Sequence, residues 1–167
     1  MLGYLNVRYP DDGWAEYLAD GRPNWARIAV SGHSQGAGMA AFIAKDHEVY
    51  RVVLFSSPWD FYNPGRQLSA WLFKPPATPL DRWFAVYHAR EPEAGLMSRT
   101  YPALGIPTSQ RQVLDLEPRS TPADAAGGAM AYHWSVVGDG ATPLDANGNP
   151  AYLPVWKFLL GDPTGKD

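Results

Sequence analysis

Residues 27–36 read Arg-Ile-Ala-Val-Ser-Gly-His-Ser-Gln-Gly, a short apolar run that leads into a Gly-His-Ser-Gln-Gly motif. The run at 27–32 follows a stretch rich in Gly, Pro and Asn, as is typical of a strand buried on both faces of a sheet. Residues 35–45 are rich in Ala, Gly and Met and contain no Pro, which predicts a helix. The segment therefore predicts a parallel strand, a sharp turn and a helix.

The motif matches the pattern Gly-x-Ser-x-Gly, with Ser34 at its centre. A serine on a strained strand-to-helix turn projects its hydroxyl above the sheet, and we expect Gly32 and Gly36 to remove β-carbons that would clash there. The following helix directs its free N–H groups at this turn, so the backbone amide of Gln35 is a candidate oxyanion donor. Ser34 is thus a predicted nucleophile, and an ordinary glycine-rich turn is the alternative.

The remaining elements predict an α/β fold, with a mostly parallel sheet flanked by helices in one domain over residues 1–167. β-Branched and aromatic runs at 49–56, 83–88 and 111–116 predict strands that end at the same edge of that sheet. Residues 154–160 predict a terminal helix, and the spacing of Trp14, Tyr17 and Leu18 predicts a short helix capped by Asp11 or Asp12.

Residues 59–81 form an aromatic-rich excursion between two predicted strands. Its Pro and Gly content is too high for one regular element, and it is a candidate cover for a pocket. Trp59, Phe61 and Tyr62 are the candidate substrate-binding residues, although aromatic side chains pack more often in a core or lid.

Composition narrows the classes of chemistry and partner. The chain has 14 Lys and Arg against 17 Asp and Glu, a formal net charge of −3, and no Cys. Cysteine nucleophiles, disulfides and thiolate metal sites are therefore excluded, and the absence of a basic run argues against binding nucleic acid. The same charge balance makes a small or apolar molecule the expected partner. No apolar stretch is long enough for a membrane span.

A serine nucleophile needs a histidine base, and four histidines are available: His33, His47, His88 and His133. His33 adjoins the serine and is expected to point elsewhere, His47 follows the helix, and His88 closes a strand. His133 lies in a Gly- and Ala-rich stretch that predicts a loop between the last strand and the terminal helix. Chain order therefore favours His133, with a surface histidine as the alternative.

The acid that orients the imidazole should leave the carboxyl edge of the sheet near the histidine. Glu91 comes three residues after His88, and Pro92 stiffens the turn behind it. We favour Glu91, with Glu93 next and Asp60 and Asp115 as further candidates. For each of them, a solvated surface charge is the alternative.

With these residues in place, the chain resembles the α/β-hydrolase family, and Ser56-Ser57-Pro58-Trp59 is similar to a segment of its dienelactone-hydrolase-like and polyester-cleaving members. The resemblance implies a Ser34–His133–Glu91 triad that hydrolyses a carboxylic ester through an acyl-enzyme, with no metal and no organic cofactor. The substrate implied is a small ester with an apolar acyl or aryl group. Thioesters and transfer to acceptors other than water stay open.

The chain departs from the family pattern before residue 27. Family members place several strands there, and a loop after an early strand supplies the second oxyanion amide. We therefore expect the chain to be the C-terminal portion of such a fold, truncated at its N-terminal side. Loss of one oxyanion donor costs about 3–4 kcal/mol of transition-state stabilisation, so a non-catalytic binding or scaffold domain is the alternative function.

Overall fold

Four parallel strands form the central sheet of the computed structural model, which describes residues 1–62, 67–119, 128 and 130–161. Helices cover both faces of this sheet, and two short antiparallel ladders lie outside it. The helices and strands in chain order are α1 (Leu2–Arg8), β1 (Leu18–Ala19), β2 (Arg22–Pro23), β3 (Ala29–His33), α2 (Gln35–Asp46), β4 (Arg51–Phe55), β5 (Phe61–Tyr62), β6 (Gln67–Leu68), β7 (Trp83–His88), α3 (Ala94–Ala103), β8 (Arg111–Leu114), α4 (Met130–Ser135) and α5 (Leu153–Leu160).

The sheet order is β3-β4-β7-β8, and each neighbouring pair is parallel. Val30 pairs with Val52, and Val52 in turn pairs with Trp83, so the strands are aligned across the sheet. Because parallel strands all end at the same edge, the residues that follow them collect there. The α/β class predicted from the sequence is confirmed at this level, with a parallel sheet and flanking helices.

The core lies in two layers because successive strand side chains point to opposite faces. On β4, Val52 and Leu54 pack with α2 and α3, whereas Val53 and Phe55 pack with α5. All four side chains are buried. Burial of each contributes about 1.5–3 kcal/mol, which explains why this strand is apolar without alternation.

Helix α2 rests on the sheet through small side chains, namely Ala37, Ala40, Ala41 and Ala44, all of which are buried. The closest approach is at Gly32, where an added β-carbon would lie 2.2 Å from the carbonyl carbon of Gly36 and 2.6 Å from the amide nitrogen of Ala37. No real side chain tolerates such distances to backbone atoms. Glycine at position 32 is therefore a requirement of the strand-to-helix turn.

Most predicted elements of the sheet and its helices are confirmed, with boundaries that shift by a few residues. The strand predicted at 83–88 has those bounds, and those predicted at 27–32, 49–56 and 111–116 are observed as β3, β4 and β8. The helices predicted at 35–45 and 154–160 are observed as α2 and α5.

The helix predicted through Trp14 and Leu18 is wrong. Two separate 3-10 turns form instead, Pro10–Asp12 and Trp14–Tyr17, and Leu18 begins β1. Gly13 between the turns has φ of 75°, a left-handed conformation that interrupts helical hydrogen bonding. Helices α1 and α3 were not expected from the sequence.

No helix within residues 1–62, 67–119 and 130–161 is long and apolar enough to span a lipid bilayer.

The close contact at Gly32 yields a prediction for paired glycine variants. Gly32→Ala is expected to lower the free energy of unfolding by about 3 kcal/mol or more, because backbone atoms must move to admit the β-carbon. The clash expected at Gly36 is not observed, because an added β-carbon there would meet nothing within 4 Å. Gly36→Ala is therefore the matched control, and alanine favours helices by up to about 1 kcal/mol. Urea unfolding measures both, and equal stabilities of the two variants would contradict the close contact.

Candidate active site

Ser34 occupies a strained turn between β3 and α2. Its backbone has φ of 55° and ψ of −127°, and its amide donates to the carbonyl of Phe55 at 2.9 Å. Such angles cost about 1–3 kcal/mol in a residue other than glycine and persist only where the surroundings enforce them. Helix α2 begins at Gln35, and its first N–H groups have no partner within the helix, so they can receive developing negative charge.

A buried histidine and a buried carboxylate meet at the same edge of the sheet. Nδ1 of His133 lies 2.5 Å from Oε2 of Glu91, and the two residues are 5% and 4% exposed. A carboxylate only accepts hydrogen bonds, so Nδ1 donates and Nε2 of the neutral ring is left to accept a proton. This arrangement is the one that a general base requires.

The second oxygen of Glu91 is held by two further donors. Oε1 accepts from the hydroxyl of Ser56 at 2.9 Å and from the backbone amide of His88 at 2.8 Å. The carboxylate therefore folds back on the end of β7 and is tied to the end of β4. The three donors satisfy both oxygens of the buried Glu91 side chain and prevent its carboxyl group from rotating freely.

His133 lies on helix α4 rather than in the predicted loop. The short helix packs near the end of β7, and this packing brings His133 to Glu91 across 42 positions of sequence.

His33 contacts His133, contrary to the expectation that it points elsewhere. The two rings are 4.4 Å apart, and Nε2 of His33 donates to the carbonyl of His133 at 3.1 Å. Burial, followed by the nearby His133, lowers the pKa of His33, while its hydrogen bond to the His133 carbonyl and the Glu91 carboxylate oppose this more weakly. A neutral His33 adds no positive charge beside His133.

The structure brings Ser34 and the acid–base pair to one edge without joining them directly. Among the described side chains, no hydrogen bond links the Ser34 hydroxyl to His133, and the connection runs through His33, the residue before Ser34. Hydrogen bonds between a nucleophile and its base are often long or absent before substrate binds.

A second set of contacts, which we call the outer clamp, consists of His88, Arg90, Glu117 and Tyr132. The ring of Tyr132 contacts both the His88 ring, at 4.7 Å, and the Arg90 guanidinium, at 4.6 Å. The Tyr132 hydroxyl donates to Glu117 at 3.1 Å, and Arg90 forms an ion pair with Glu117. Hydrogen bonds from Arg90 and then Tyr132 lower the pKa of Glu117. The clamp thus joins the neighbours of Glu91 and His133.

The other candidate acids lie elsewhere. Asp60 is exposed and accepts from Nε1 of Trp71 at 3.0 Å, and Asp115 is exposed beyond β8. Glu93 precedes α3 as its N-terminal cap residue. Of the four candidates, Glu91 is the one hydrogen-bonded to His133.

Two of the three predicted substrate-contact residues line a recess that does not include Gln35. Trp59 and Phe61 border a shallow depression with Asp60, Ser69 and Trp71, whereas Tyr62 is 68% exposed. A second groove, of about 510 Å³, includes Gln35, the residue after Ser34; it is lined by Gln35, Gly38, Met39, Phe42, Ile43, Ser57, Asp60 and Trp71.

Comparisons of the chain with models of known families, with curated proteins and with solved structures found no match. Among residues 1–62, 67–119 and 130–161, no cluster of His, Asp and Glu side chains has the arrangement of a metal site.

Sequence reasoning missed His33 and Ser56. Ser56 has φ of 55°, as Ser34 does, and each serine directly follows a strand of the sheet. That shared position was a usable signal for Ser56. The contact of His33 with His133 had none, because it depends on packing between segments 100 positions apart.

The three hydrogen bonds at Glu91 predict a stability difference between two carboxylate variants. Glu91→Gln replaces one carboxylate oxygen by an NH₂ group, so that either His133 or the backbone amide of His88 loses its acceptor, and unfolding should be easier by about 1–3 kcal/mol. Asp115→Asn, at an exposed carboxylate, should change stability by less than about 0.5 kcal/mol. Urea titration compares the two variants, and a Glu91→Gln variant as stable as the wild type would show that the three hydrogen bonds at Glu91 do not stabilise the fold.

The lowered pKa of His33 predicts how stability depends on pH. The unfolded chain binds a proton at this residue near pH 6.5 and the folded chain resists it, so the free energy of unfolding should fall as pH drops below 6.5. His33→Gln should reduce this slope by at most about 1.4 kcal/mol per pH unit. Chemical unfolding between pH 7.5 and 5.5 measures the slopes, and parallel wild-type and variant profiles would refute the assignment.

Proposed function

We propose that the protein is a serine hydrolase of the α/β-hydrolase type that cleaves carboxylic esters. The observation that carries the proposal is the buried Glu91–His133 pair at the sheet edge where Ser34 occupies its strained turn. A nucleophile, a base with a free nitrogen and an orienting acid are the three parts of this chemistry. Their chain order, serine then acid then histidine, is the order expected for this type.

In the proposed mechanism, the Ser34 oxygen attacks the ester carbonyl while Nε2 of His133 takes its proton. Glu91 stabilises the imidazolium, and the Gln35 amide at the start of α2 donates to the oxyanion. The protonated His133 then gives its proton to the departing alcohol. Water then attacks the acyl carbonyl and loses a proton to the same nitrogen, and His133 returns this proton to the Ser34 oxygen as the bond to Ser34 breaks and the acid leaves.

The surroundings of Glu91 favour it as the partner of His133 in this scheme. Three donors face its two oxygens, and burial together with this carboxylate raises the pKa of the Tyr101 phenol well above its usual range. A phenol that stays protonated cannot compete with Glu91 as the negative partner of His133.

The alternative is a non-catalytic binding or scaffold domain. The hydroxyl of Ser34 forms no hydrogen bond to any side chain that the structure describes, and this favours the non-catalytic alternative. The two proposals differ in one observable property, which is whether Ser34 reacts as a nucleophile.

Covalent labelling and ester hydrolysis test the nucleophile together. A fluorophosphonate probe should label the wild type at Ser34 and should fail to label Ser34→Ala, and p-nitrophenyl butyrate hydrolysis should fall to background in that variant. His133→Gln should slow both reactions by at least about a hundredfold, because the base is lost. Ser98→Ala, at an exposed serine on α3, is the matched control and should behave as wild type.

Equal ester hydrolysis by wild type and Ser34→Ala, with no label at Ser34, would contradict the proposal of a serine hydrolase and would favour the non-catalytic binding or scaffold domain. Peptide mapping of the labelled protein identifies the modified serine, so labelling elsewhere would count against the proposal too.

A further inference from the structure

Helix α2 carries apolar side chains on two faces, whereas a surface helix ordinarily has one. Its alanines face the sheet, but Met39 and Phe42 are 63% and 53% exposed on the other side. These two residues line the groove of about 510 Å³ whose lining includes Gln35, the residue after Ser34. Exposed large apolar side chains that converge on a cavity indicate a ligand surface.

The groove starts at Gln35 and reaches Ile43. These residues are eight positions apart on one helix, so the lining extends for about 12 Å. A carbon–carbon bond of about 1.5 Å advances an extended chain by about 1.3 Å per carbon, and the groove thus has room for a chain of up to about nine carbons.

The far wall is held in place by hydrogen bonding. Nε1 of Trp71 donates to Asp60 at 3.0 Å, and the Trp71 ring meets the ring of Phe42 edge-on at 5.7 Å. Gly38 lies between the walls, where an added β-carbon would be 3.8 Å from Pro58 and 3.9 Å from the hydroxyl of Ser57. A larger side chain at position 38 would therefore enter the groove without striking backbone.

We propose that this groove binds the acyl chain of the ester and selects straight, uncharged chains of about eight carbons. The inference rests on the proposed function, since the chain must be attached to the carbonyl that Ser34 attacks. Of the lining residues that the structure describes, Asp60 carries a charge and it is negative. A chain that ends in a carboxylate is disfavoured there.

Chain-length dependence provides the main test. For p-nitrophenyl esters from acetate to dodecanoate, kcat/KM of the wild type should rise by up to about fourfold per added methylene as far as octanoate and then level off. Gly38→Leu should lower the ratio of octanoate to acetate kcat/KM by at least about tenfold, because the added atoms occupy the groove.

Two further variants test the groove even if Gly38→Leu fails to fold. Trp71→Ala should lower the octanoate-to-acetate ratio by about threefold to tenfold through loss of the far wall. Phe73→Ala is the matched control, since Phe73 lies on the same 3-10 turn, is 61% exposed and does not line the groove. Circular dichroism and the thermal midpoint establish that each variant is folded.

The charge preference has its own comparison. The p-nitrophenyl monoester of octanedioic acid should react at least about tenfold more slowly than the octanoate, and Asp60→Asn should narrow that gap while keeping an acceptor for Trp71. Equal rates for the two wild-type substrates would overturn the preference for uncharged chains.

Failure of this inference differs from failure of the proposed function. Ser34-dependent acetate hydrolysis with a flat chain-length profile, unaltered in folded Gly38→Leu and Trp71→Ala, would overturn the groove assignment and leave the hydrolase intact. Absence of Ser34-dependent hydrolysis for every ester would overturn both.

Discussion

Helix α2 starts so close to the end of β3 that position 32 has no space for a β-carbon, which would lie 2.2 Å from the backbone of Gly36. The same turn holds Ser34 in a strained conformation with positive φ, directly before the first amides of α2. It also sets the rotation of α2, because the alanine face must lie on the sheet. Met39 and Phe42 are consequently left facing outward.

The parallel sheet assembles the rest of the site. Strands β3, β4 and β7 end at one edge and are followed there by Ser34, Ser56 and Glu91. Functional residues of open parallel sheets gather at such edges, because the chain leaves every strand in the same direction. Hydrogen bonds then fix the orientation of these side chains, since the hydroxyl of Ser56 and the amide of His88 hold the Glu91 carboxylate that contacts His133.

The fold was largely readable from the sequence where burial on both faces makes strands uniformly apolar, as in the run at 83–88. Glu91 was favoured from its closeness to the end of that strand, and the structure places it on His133. Local signals were insufficient where one residue breaks a pattern, as Gly13 does with φ of 75°. They were silent on contacts between distant segments, such as His33 with His133, because side-chain packing decides these.

The outer clamp and the acid–base pair are consecutive in both segments that build them. Arg90 and Tyr132 are in contact, and so are the next residues along the chain, Glu91 and His133. The outer contact between Arg90 and Tyr132 and the buried contact between Glu91 and His133 therefore depend on the same alignment of the two segments. Because Tyr132 and His133 lie on α4, a one-residue insertion or deletion at the start of this helix would turn the following side chains by about 100° about its axis and place a different side chain opposite Glu91. Relatives that keep this site should therefore conserve the lengths of both segments, and variation in loop length should fall outside them.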